Sequence, residues 1–199
     1  MERTKKGFNK QLKSIDFVTG ETTFKEPTIL ANDPSMTAWG WAVLNIKGEI
    51  LRCGCIKTAP EQKKRRIRKS DDTGRRATEL IQKLRNIIQA YNVKFLLSES
   101  PHGSQNASAA VMIGMVTGIV YTLSECLFLP LETYSEGDSK KNALGKLSAS
   151  KGEMVEKMGE LFPEDWETGT KYIDEAVADA LAVYWVAVKN SPTLKMMKG

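Results

Sequence analysis

Two hydrophobic rhythms alternate along the chain. Thr28–Ala31 is a short apolar run. Trp39–Ile46 alternates, with Ala42, Leu44 and Ile46 on one face and Trp41, Val43 and Asn45 on the other. Lys47-Gly48 reads as a turn and Glu49–Thr58 as the returning strand, so three antiparallel strands come first. Then the period lengthens. Ala77, Leu80, Ile81, Leu84, Ile87 and Ile88 recur at helical spacing, with Asp72 or Thr73 placed to cap the helix. Val93–Leu97 is a compact strand, Asn106–Ser124 is helical with Gly114 and Gly118 permitting close packing, and Leu127–Thr133 is strand-like. Leu144–Leu147 leads into a helix over Ser148–Leu161, and Tyr172–Lys189 is the last helix, with Ala176, Ala180 and Val183 along one side. The order β-β-β-α-β-α-β-α-α predicts an α/β protein: a mixed five-stranded sheet, antiparallel first and parallel after, flanked by helices. Residues 1–27 read as a basic arm, 28–190 as the domain, and 191–199 as a polar tail expected to fray.

Composition narrows the function classes. A chain of 199 residues is long enough for one domain with a proper core. The net charge of +5 leans toward a polyanionic partner. Cys53-Gly54-Cys55 has C-x-C spacing with no second pair, so it completes no zinc site and reads as buried thiols in a strand. His102 is the only histidine, and its spacing supports neither a zinc site nor a nucleophile-histidine pair. The longest apolar region, Ala107–Tyr121, is interrupted by glycines and falls short of the roughly 20 residues a membrane span needs. The basic N-terminus has no apolar core of a signal peptide. The expectation is a soluble, cytoplasmic protein with no membrane partner.

The chemistry sits where apolar strands run into acids. Asp33 follows Ile29-Leu30-Ala31-Asn32, and Glu99 follows Phe95-Leu96-Leu97-Ser98. In α/β sheets functional groups collect at the carboxyl ends of parallel strands, which makes these two neighbours. Asp179 lies mid-helix among alanines, and Glu175, four residues earlier, shares its face. Converging carboxylates repel one another unless cations neutralise them. An oxygen-only ligand set suits Mg²⁺ or Mn²⁺, and two such ions serve phosphodiester hydrolysis. Acids for metals within a basic chain for DNA are what a nuclease needs; the competing reading makes the strand-end acids cap or turn residues and Asp174 and Glu175 acids favoured by the helix dipole, which leaves the mid-helix Asp179 in want of a partner.

Four stretches carry a resemblance. Asp33-Pro34-Ser35-Met36-Thr37-Ala38-Trp39-Gly40-Trp41 resembles the opening motif of RuvC-type Holliday junction resolvases. So does Ser98-Glu99-Ser100 followed by Gln105-Asn106-Ala107-Ser108-Ala109-Ala110. Lys140-Lys141, Gly145-Lys146 and Ala149-Ser150-Lys151 are similar to the family's lysine-rich approach to DNA, and Asp179-Ala180-Leu181-Ala182 to its terminal acid motif. The resemblance runs in order from about Ile29 to Val188 and implies an RNase H-like fold, a homodimer, and Mg²⁺-dependent resolution of four-way DNA junctions by paired symmetric nicks. On it, Asp33 bridges two Mg²⁺ (or Mn²⁺) ions and Glu99 and Asp179 each ligate one. Glu175 stands in for the acid the family often carries where this chain has Ala176, with Asp174 in reserve. Lys151 approaches the scissile phosphate, and Lys140, Lys141 and Lys146 hold the DNA arms. His102 stacks on an unpaired base in a loop shared with Gln105 and Asn106, and Ala107–Val120 forms the dimer helix. The basic loop Lys63–Lys69 and the N-terminal arm look like additions, and such divergence resembles viral or phage members, whose setting would be the host cytoplasm. Asn32, where the family usually has an apolar residue, has no sequence-level reason. Two other readings are a broader nuclease acting on forks and flaps, and a junction-binding protein without turnover.

Overall fold

The computed structural model describes residues 24–61, 68–164 and 166–198. Most of the N-terminal arm and Lys63–Ile67 of the basic loop lie outside the described residues. A five-stranded sheet runs in the order β3-β2-β1-β4-β5. Its strands are β1 (Thr28–Asp33), β2 (Ala38–Asn45), β3 (Ile50–Lys57), β4 (Val93–Ser100) and β5 (Leu131–Ser135). β1, β2 and β3 pair antiparallel, while β4 and β5 run parallel to β1. The mixed sheet read from the sequence is therefore present.

Period two along each strand assigns side chains to two cores. Leu30, Trp39, Trp41, Val43 and Leu96 face α1 (Lys69–Ala90) and α2 (Ala107–Leu127), meeting Leu80, Leu84, Val116 and Val120. Ile29, Ala31, Ala42, Leu44, Phe95 and Leu97 face α3 (Glu136–Leu144), α4 (Lys151–Leu161) and α5 (Lys171–Asn190). α5 is nearly all alanine, valine and leucine on its buried side, so it lies close against the sheet. Gly40 lets it do so: a Cβ there would stand 2.0 Å from the carbonyl oxygen of Ala176. Any larger residue at Gly40 pushes α5 off the sheet.

The structure departs from the sequence reading in several places. α1 begins at Lys69, and neither Asp72 nor Thr73 caps it: Asp72 accepts from Arg75, and Thr73 Oγ1 donates back to the Lys69 carbonyl. α2 continues to Leu127 through both glycines, because an interior glycine costs about 1 kcal/mol without breaking a helix. It is therefore long and apolar enough to cross a membrane on length and composition, the one such helix among the described residues, although its inner face packs into the α1-side core. Phe128 closes it in the left-handed region at φ 53°, and β5 starts only at Leu131. Between β5 and α4 stands α3, a helix the sequence reading lacked. The tail does not fray as expected: Pro192–Lys198 forms α6, with Leu194 buried and its N–H donating to Ser191 Oγ. Residues 24–27 of the arm are tied to the domain, since Phe24 stacks on Tyr91 and Asn92 Nδ2 donates to the Lys25 carbonyl.

Candidate active site

β1 and β4 pair Ala31 with Leu97 and Asn32 with Ser98, so Asp33 and Glu99 follow side by side at the carboxyl edge. Asp33 continues the Ile29–Ala31 face and Glu99 the Phe95–Leu97 face, which turns both carboxylates toward α5. There α5 presents Asp179. Because Asp33 pairs with Gly40, the close approach of α5 at Gly40 is what brings helix and strand acids together. Lys151, the first residue of α4, reaches to 3.9 Å from Asp179 Oδ2 while remaining exposed.

The acids are costly to ionise together. Burial, then the charge of Asp179, pushes the Asp33 carboxyl up to about 7, against the pull of Lys151. Burial, then Asp33 and Asp179, pushes Glu99 up to about 9. Burial raises Asp179 to about 6 although Lys151 opposes it. Three carboxyls driven upward chiefly by lost water, Asp33 and Glu99 also by other acids of the group, form a site that gains from a bound cation. Among the described residues no group of three or more His, Cys, Asp or Glu side chains is drawn together closely enough to hold a metal ion as the side chains stand.

The remaining sequence candidates divide. Asp174 is occupied: its Oδ1 accepts from the Thr168 N–H and Oγ1, both at 2.7 Å, and its Oδ2 from the Gly169 N–H at 3.0 Å. It fastens the loop before α5. Glu175 lies partly buried on the Asp179 face, 3.9 Å from Lys171. Lys146 pairs with Glu153, and Lys140 with Glu136 at 2.5 Å. Asn106 caps α2, accepting from the Ala109 N–H, and Gln105 and His102 are exposed in the loop after β4. Lys141 is exposed on α3.

Three residues that sequence reasoning missed support this edge. Asn32 points to the opposite face from Asp33. Its Oδ1 accepts from Trp39 Nε1 at 3.1 Å, and its Nδ2 donates to the Leu97 and Leu30 carbonyls. Arg76 is buried and donates to Thr58 Oγ1, the Met36 carbonyl and Thr37 Oγ1, clamping the loop that leaves Asp33. Glu136, the first residue after β5, stands like Asp33 and Glu99 at a strand's carboxyl end, although the strand before it is not an apolar run. Placing the strand at Leu127–Thr133 hid it.

Such a sheet, with acids at the ends of β1 and β4 and a third on the helix packed across them, defines an RNase H-like nuclease. The family model for crossover junction endodeoxyribonuclease RuvC matches residues 29–186, and the chain belongs to that family. The crossover junction endodeoxyribonuclease of Xanthobacter autotrophicus is 28% identical over 158 residues, 78% of this chain and 85% of that one. The one from Methylococcus capsulatus is 23% identical over 171 residues, 85% and 94% of the two chains. Thermus thermophilus RuvC, solved in complex with a Holliday junction substrate, shares the fold with a TM-score of 0.64 at 17% identity, over 81% of this chain and 92% of that one. The yeast mitochondrial Holliday junction resolvase matches with a TM-score of 0.58 at 14% identity, over 89% and 83%.

Proposed function

We propose that the chain, an endodeoxyribonuclease of the crossover-junction class, resolves four-way DNA junctions as a homodimer using divalent cations held by Asp33, Glu99 and Asp179. One observation carries this reading: three carboxylates from β1, β4 and α5 meet at one sheet edge, in a chain whose family model spans 29–186. The donor set fits Mg²⁺ or Mn²⁺, being oxygen-only and short of water. A pair of such ions, when bound, lowers the pKa of a water and stabilises the leaving oxygen of a phosphodiester.

The chain's own residues do the rest. Lys151 stands beside Asp179, free at its other side to meet a phosphate oxygen. Lys140, Lys141 and Lys146 line α3 and the turn that follows it, on the approach to the acids, where they balance the charge of two DNA arms. His102, Gln105 and Asn106 form the loop after β4, placed to meet the unpaired centre of a junction by stacking and hydrogen bonds. Glu175 is the acid of α5 best placed to assist Asp179, since Asp174 is committed to its loop.

The outer face of α2 supports the dimer. The helix is apolar, yet within the chain it buries only Val116, Ile119, Val120, Leu123 and Ser124. Val111 and Tyr121 are largely exposed, as is Phe128 just beyond. A second copy would cover this face.

The test is a cleavage assay with Mg²⁺ on a four-way junction, fork, flap, duplex and RNA–DNA hybrid. Paired symmetric nicks confined to the junction are expected. Equal cutting of forks and flaps would replace resolution with a broader branched-DNA activity, and tight binding without cutting would remove the enzyme reading.

A further inference from the structure

The lysines of the acid edge do not all follow β5. At the other border of the sheet, β3 ends on Lys57. β1 and β3 both pair antiparallel with β2, so Lys57 lies at the same edge as Asp33. Asp33, Gly40 and Cys55 form one row across the three strands. Residues two apart share a face, so Lys57 follows Cys55 on the Asp33 face, toward α5. Two strand spacings of ~4.8 Å and two residue rises of ~3.3 Å put its Cα roughly 12 Å from that of Asp33.

Lys57 is held at this place without losing its charge. Its Nζ lies 3.9 Å from the centroid of the Tyr172 ring, in the first turn of α5. Other surface lysines are held by acids: Lys83 by Glu79, Lys140 by Glu136 and Lys157 by Glu160. Among the described residues no carboxylate forms an ion pair with Lys57. An aromatic ring attracts an ammonium through its quadrupole but carries no net charge. Tyr172 therefore fixes the side chain and leaves its positive charge in solvent, for both residues are exposed. Lys171 adds a second ammonium beside them, 88% exposed and 3.9 Å from Glu175.

We propose that Lys57, held by Tyr172, binds a backbone phosphate of the DNA on the β3 side of the acids, three or four nucleotides from the cut. This rests on the reading of Asp33, Glu99 and Asp179 as the cutting site. The position follows from the span of roughly 12 Å and the ~3.4 Å rise of a DNA strand. A fixed, unneutralised cation beside such a site suits an anion that is itself fixed in place. With the lysines of α3 and α4 on the other side, the DNA is gripped on both sides of the cut and resists sliding past the acids. Tyr172 is a positioning residue, acting through the ammonium it holds.

The experiment first maps the cut on a four-way junction in Mg²⁺. It then measures binding of the full chain to that junction in chelator by fluorescence anisotropy, with a neutral methylphosphonate at each backbone position in turn. Wild type is compared with Lys57→Gln, Tyr172→Phe, Tyr172→Leu and Lys94→Gln. Lys94 is exposed at the amino end of β4, on the opposite edge, and controls for the loss of one positive charge. In wild type, one methylphosphonate three or four nucleotides from the cut should weaken binding about fivefold. In Lys57→Gln the same substitution should change nothing, because its partner has gone. Lys57→Gln on unmodified DNA should weaken binding about fivefold and lower the slope of log affinity against log salt by about one. Tyr172→Phe keeps the ring and should bind as wild type, whereas Tyr172→Leu should lose about two- to threefold. Equal methylphosphonate effects in wild type and Lys57→Gln at every position overturn the contact and leave the acid site standing. An equal loss in Lys94→Gln overturns it as a general charge effect, and coupling found only elsewhere along the DNA overturns the stated position. A wild type that binds the junction without cutting it overturns the reading of the acids; coupling of Lys57 to one phosphate would then still uphold the contact itself.

Discussion

Asn32 and Asp33 are neighbours in β1, and they face opposite sides of one sheet. On the α1 side the buried Asn32 and Arg76 are both answered. Asn32 has the Trp39 indole and two carbonyls, and Arg76 has Thr58, Met36 and Thr37. On the α5 side the carboxyls of Asp33 and Glu99 are shifted upward, chiefly by lost water and then by charges of their own sign. Buried polar groups with partners fix a structure, and buried charges without enough partners mark a site that awaits one. The contrast separates stability from function at two adjacent residues.

The largest effect should come from Asp33. Asp33→Asn should lower junction cleavage by on the order of 10³-fold, while the junction is still bound in a gel-shift assay. The cation-free variant should be no less stable than wild type, because a costly charge has gone. Retained cleavage would dissolve the distinction between the faces. On the other side, Asn32→Ala leaves the Trp39 N–H without its acceptor and should cost about 1–3 kcal/mol in urea denaturation. Its remaining activity should follow the folded fraction. A specific loss of turnover in a fully folded Asn32→Ala protein would show that the α1 face is catalytic too.

The proposed dimer face offers a second comparison, between the two sides of α2. Val111→Glu acts on the exposed side and should yield monomers by sedimentation while the melting temperature of the subunit holds. Val116→Ala on the buried side should instead destabilise the subunit by roughly 1–2 kcal/mol through lost burial. If Val111→Glu stays dimeric, another surface joins the copies.

Much of this was legible in the sequence, and the limits have physical causes. Strands ending on Asp33 and Glu99 were readable because period two carries an apolar face straight into the acid. The alternation of Trp39–Ile46 set Trp41 and Val43 against Ala42 and Leu44, and the two cores divide them so. Leu127-Phe128-Leu129-Pro130-Leu131 was ambiguous, since a short apolar run fits a helix end or a strand equally. The left-handed turn at Phe128 decides it, and no glycine marks that turn. This slip displaced β5 and concealed both α3 and Glu136. Asn32 was beyond reach for another reason: its partners include Leu97, sixty-five positions away. The fate of Asp174 was hidden for a local reason: its partners Thr168 and Gly169 are close in sequence, but a first-turn acid reads as a helix-dipole residue until its loop is seen to fold back on it.

The smallest effect is the pH dependence of stability without divalent cations, and it tests the contrast most finely. Well below the ordinary aspartate value of 3.8 the three site carboxyls are protonated in both states. As pH rises, the unfolded chain loses these protons near the ordinary values of 3.8 and 4.5, while the folded protein keeps them until about 6 for Asp179, 7 for Asp33 and 9 for Glu99. Across that window the folded state binds more protons, so stability falls as pH rises. Surface acids such as Asp138 and Glu153 are shifted the other way by their capping and lysine partners, so their contribution is lost below about pH 4. Between pH 5 and 9 the site acids therefore dominate. Melting temperature in chelator should decline over this range by a few degrees. Mn²⁺ should restore it most at the alkaline end, where the carboxylates it would bind are ionised. Asp33→Asn should flatten the decline, and Asn32→Ala should lower the whole curve without changing its slope. A slope that survives Asp33→Asn and Glu99→Gln together would place the proton linkage elsewhere than at this edge.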